Sequence, residues 1–71
     1  MLNDRKLQGL RDAYEIAYNE AVRLGYEVLE TIDKADKLGN RDSFFRAAER
    51  AKAARDRWAA AGEQVGSYLR G

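Results

Sequence analysis

Carboxylates are the side chains in this sequence best spaced to do chemistry. Glu20 and Glu27 lie seven apart and Glu27 and Glu30 three apart, so a helix would gather them on one side. Bundles that hold two metal ions use such spacings, but they complete the ligand set with a Glu-x-x-His motif. This chain has no histidine and no cysteine. Imidazole and thiolate ligands are therefore missing, and so is the commonest general base. The same glutamates have cations at helical spacing: Arg23 with both Glu20 and Glu27, and Lys34 with Glu30. Exposed ion pairs account for them. Ser43 and Ser67 lack a histidine to activate them and no Gly-x-Ser-x-Gly elbow is present; Ser43 suits a helix cap. The glycines are scattered and form no phosphate-cradling loop. These residues predict a protein that is not an enzyme and carries no metal or cofactor.

The arginines offer a second chemistry. Up to Leu38 the chain has six basic and eight acidic side chains; after it, seven basic and four acidic. Arg50 and Arg57 are seven apart and share a helix face, with Arg46 one turn before Arg50. Interleaved Asp42, Glu49 and Asp56 suit a solvated, ion-paired surface. The sharper reading is an anion site at Arg46, Arg50 and Arg57. In an oligomer, arginines of two copies would converge on a nucleotide or a short RNA, and Tyr18 or Tyr26 would add a stacking surface. The net charge of +1 does not mark the whole chain as a nucleic-acid binder.

Two helices must position these groups. The 71 residues suit one domain, 1–71. Proline is absent and Ala, Leu, Glu, Arg and Lys abound, which favours helix nearly everywhere. Leu38-Gly39-Asn40 is the one strong break: Gly39 suits the left-handed residue that ends a helix, and Asn40 can cap the next. Near the start, Asn3 or Asp4 is the expected first cap. The sequence predicts an all-α antiparallel hairpin, with a helix over about 4–38, a turn at 39–40 and a helix over about 41–69. No apolar run reaches the ~20 residues of a membrane span. The first residues carry no apolar leader. A cytoplasmic protein without membrane contact is expected.

Apolar spacing fixes the faces. Leu7, Leu10, Tyr14, Ala17, Ala21, Leu24, Val28, Thr31, Ala35 and Leu38 advance by alternate steps of three and four, as do Phe44, Ala47, Ala51, Ala54, Trp58, Ala61, Val65 and Tyr68. Both are heptad seams. Folded about the turn, positions whose numbers total about 79 face each other. Ala35 then meets Phe44, Val28 meets Ala51, Ala21 meets Trp58 and Tyr14 meets Val65. Small side chains mostly oppose large ones, as interdigitated packing requires.

The first helix carries more apolar surface than one partner helix can cover. Tyr18, Val22, Gly25, Leu29 and Ile32 form a second row beside the seam, widening the apolar arc to about 160°. Arg11 and Glu15 end the row on one side and Asp36 on the other; Phe45 and Leu69 of the second helix add to the exposed surface. Chains this small are marginal alone, so the row is expected to complete the core of a homo-oligomer, most simply a four-helix bundle, or to dock another protein. Gly25 and Gly62 are the positions where a second backbone would approach closely.

In outline the chain resembles the small dimeric helical hairpins of which the plasmid RNA-binding Rop protein is the familiar example. The resemblance rests on two long helices, a short turn and small–large core layers, and it implies an RNA-binding alternative; no RNA-contacting residue carries over. The turn followed by Phe44 and regular alanines is also similar to a tetratricopeptide hairpin, but the first helix is too long for that repeat and only one unit is present. The function expected from the residues is that of a small helical inhibitor, adaptor or regulator acting as a homo-oligomer on a protein partner. Sequestering a small anionic ligand, such as a nucleotide, is the alternative.

Overall fold

The computed structural model describes residues 4–39 and 41–71, with the backbone alone at Leu38. It is an all-helical hairpin of α1, Asp4–Leu38, and α2, Arg41–Arg70. The first boundary pair matches the expected span, and α2 runs one residue further. Asn3 and Asn40, expected as caps, lie outside the described residues. Gly39 has φ +68°, the left-handed conformation that ends a helix at low cost only with glycine. At the other end Gly71 N–H donates to the Tyr68 carbonyl at 3.2 Å. Charges follow the helix dipoles: Asp4 and Asp42 occupy first turns, Lys37 and Arg70 last turns.

α1 is one uninterrupted helix through Gly25. Thr31, an apparent polar intruder in the seam, donates its hydroxyl to the Val28 carbonyl at 2.7 Å. Its polarity is thus satisfied within its own helix.

The helices meet through very small side chains. Ala21, Leu24, Ala51 and Ala54 form one buried cluster, with Val28 and Trp58 packed against it and Ala47 buried nearer the turn. Among the described residues no large side chain is fully buried. Trp58 fills the middle of the hairpin between Tyr14, at 6.1 Å between ring centroids, and Tyr18, at 5.2 Å and edge-on. The Tyr14 ring lies over Gly62, where a Cβ would come within 3.3 Å of it. Gly62 is therefore explained by a close approach within the hairpin. Val65, the expected neighbour of Tyr14, lines the same groove.

The result is a rod of 57 × 14 × 11 Å. Its radius of gyration is 16.3 Å, against about 11 Å for a compact domain of this length. A compact monomer of 8.1 kDa would expose about 4,500 Å². The hairpin exposes 5748 Å², an excess of about 1,200 Å².

Candidate functional site

The rod has two unlike long faces. On one, the helices are joined by charge. Arg57 donates to Glu20 at 2.9 Å. One heptad away, Arg50 lies 3.8 Å from Glu27, which also accepts from Arg23 at 3.3 Å. Glu20, Arg23, Leu24, Glu27, Arg50, Ala53 and Arg57 line a shallow groove of about 400 Å³ there. Glutamates of α1 and arginines of α2 repeat at the same seven-residue interval, so two cross-helix pairs form side by side. Both side chains of each pair are well exposed, which limits each to about 0–1 kcal/mol.

Those pairs redefine the candidate anion site. Arg50 and Arg57 share a face, as their spacing predicts, but each faces a carboxylate. Arg46 is exposed one turn nearer the hairpin turn. Tyr26 lies about 100° around α1 from Glu27, and lines a shallow hollow with Val22, Gly25 and Leu29. The fold does not bring Tyr26 and the three arginines together in one copy.

The other face is apolar. Tyr18, Val22, Leu29 and Ile32 are all exposed, Leu29 by 59%. Phe45 of α2, nearer the turn, is 60% exposed and edge-on to Phe44. Toward the termini the face becomes a groove lined by Arg11, Tyr14, Gly62, Val65 and Gly66. A Cβ built on Gly25 meets nothing within 4 Å. The hairpin itself therefore gives no reason for glycine at a mid-helix position where it costs about 1 kcal/mol relative to alanine.

No family model, curated protein or solved structure matches this chain.

Two features carry no signal in the sequence pattern. Ile16 is 69% exposed, about 140° around α1 from Leu29. It is a single apolar side chain on a polar surface, which is ordinary. The Trp58 indole N–H is buried without a hydrogen-bond acceptor, set among alanines and the two tyrosine rings. Among the described residues no cluster of acidic side chains could hold a metal ion, and no helix is long and apolar enough to cross a membrane.

Proposed function

We propose that this chain is a non-catalytic, cytoplasmic binding protein that works as a homo-oligomer on a protein partner, as an inhibitor, adaptor or regulator. One observation carries the reading: a continuous apolar row, Tyr18, Val22, Leu29 and Ile32, stands exposed along α1. Contiguous apolar surface of this kind marks an interaction site. The excess of about 1,200 Å² over a compact monomer exceeds the ~800 Å² each partner contributes to a standard interface. Self-association would cover it and leave the charged Glu20–Arg57 and Glu27–Arg50 face outward, in water. Phe45 sits on α2 rather than on the row and would help present a composite surface to the partner.

The alternatives, a sequestered anionic ligand or RNA bound as in Rop, receive no specific support: Arg50 and Arg57 already face carboxylates. Native mass spectrometry of the gently purified protein tests the reading. An oligomer without added mass is expected. An oligomer carrying a few hundred extra daltons per site would favour the anionic ligand, and a bare monomer would overturn self-association.

A further inference from the structure

We infer that a second copy of this chain seats on the α1 row with the two α1 helices antiparallel, crossing a two-fold axis level with the turn between Val22 and Gly25. The inference rests on the self-association proposed above and assigns its geometry. Three observations converge on it.

The first is the row itself. Tyr18, Val22, Gly25, Leu29 and Ile32 step by four and three, which is the pattern of a helix paired with another helix. α2 covers the row only in part: Trp58 packs edge-on against Tyr18, yet all four large side chains of the row remain exposed, Leu29 most of all. A self-pairing row must be complementary to itself under a two-fold.

The second is Gly25. Antiparallel pairing about a point midway between residues 23 and 24 sets Val22 of each copy against Gly25 of the other, and Tyr18 against Leu29. The branched side chain then enters the space above a residue with no side chain. Beyond the helix's own adjoining backbone, a Cβ there would meet nothing within 4 Å. A second backbone at this level explains the glycine that the hairpin alone does not.

The third is charge. Arg11 precedes the row and Asp36 follows it, both exposed. In the antiparallel register each Arg11 lies level with Asp36 of the other copy, and Glu15 lies level with Ile32 rather than with another carboxylate, so opposite charges meet at both ends of the row. A parallel pair would set Arg11 against Arg11, Glu15 against Glu15 and Asp36 against Asp36. Like charges so placed are repulsive, and the parallel arrangement is selected against.

Cysteine cross-linking reads this geometry directly, because the chain has no cysteine of its own. Along the axis, residue 22 of one copy lies about 4.5 Å from residue 22 of the other, and residue 29 about 16 Å from its counterpart. A disulfide needs Cα atoms within about 7 Å. Under mild oxidation, Val22→Cys and Gly25→Cys should each give covalent dimers. Leu29→Cys alone should not, whereas Leu29→Cys mixed with Tyr18→Cys should. Circular dichroism of each variant confirms that it is helical, and sedimentation of the wild-type protein gives the mass independently.

Equal self-cross-linking of Val22→Cys and Leu29→Cys would mean parallel helices. That overturns the inference and leaves self-association standing. A wild-type dimer in which none of the pairs cross-links would place the contact elsewhere and also overturn it. A monomeric wild type would overturn both.

Discussion

Leu29→Glu separates the fold of one hairpin from its assembly. Leu29 is 59% exposed in the single chain, so its contribution to intrachain packing is small. A surface substitution of this kind usually changes stability by no more than about 0.5 kcal/mol. In the proposed pair the exposed share becomes buried. Complete burial of a leucine is worth about 1.5–3 kcal/mol, so covering the exposed part contributes about 1–1.8 kcal/mol per copy. Two copies lose it together, or about 2–3.5 kcal/mol per dimer, which weakens the dissociation constant roughly 30- to 300-fold. Desolvating the new carboxylate adds to that figure. Sedimentation equilibrium over a concentration series reads the constant, and circular dichroism reads helix content. Ile16→Glu is the matched control: Ile16 is 69% exposed but lies off the row, and its change should leave the mass alone. An unchanged dissociation constant for Leu29→Glu, or an equal loss for Ile16→Glu, would mean that the row is not the contact between copies.

Three further outcomes follow from the geometry. In a double-mutant cycle on Glu20→Gln and Arg57→Gln, the coupling measured by denaturant titration should be under about 1 kcal/mol and shrink in high salt; a salt-independent coupling above 2 kcal/mol would mean the pair is shielded from water. Gly39→Ala forces a side chain onto φ +68° and should lower stability by about 1 kcal/mol, seen as a drop in melting temperature of several degrees; no drop would mean the turn tolerates another conformation. Gly25→Ala should raise the helicity of the dissociated chain, because the added Cβ meets nothing within 4 Å in the hairpin, while weakening the dimer; tighter association would show that no backbone approaches there.

The helix limits were legible because the local signals agree. Absent proline, a single Leu38-Gly39-Asn40 break and end charges matched to the dipoles all point to the same two spans. The faces were legible too, since a heptad pattern states which side of a helix is apolar. Axial offset is another matter. The heptads placed facing positions at totals of about 79, yet Glu20–Arg57 and Glu27–Arg50 both total 77. The short link between α1 and α2 permits such a slip of about half a turn, and a seam of alanines has few large knobs to forbid it. The same limit hid the cross-helix ion pairs: Glu20 and Glu27 have suitable cations at helical spacing on α1, and only the register brings Arg57 and Arg50 to them. It also hid the separation of Tyr26 from the arginines, which depends on how the second helix is rotated against the first. The orphaned Trp58 N–H had no sequence signal, because whether an indole finds an acceptor depends on the neighbours that the fold supplies.

Small-angle X-ray scattering of the wild-type chain tests self-association through α1 most directly, because it gives mass and length together. Antiparallel pairing near residues 22–25 leaves the rods almost fully overlapped. Twice the 8.1 kDa chain mass is expected in a particle lengthened by less than about 10 Å over the 57 Å hairpin. A particle of single-chain mass with a radius of gyration near 16.3 Å, or a dimer nearly twice as long as one hairpin, would contradict it.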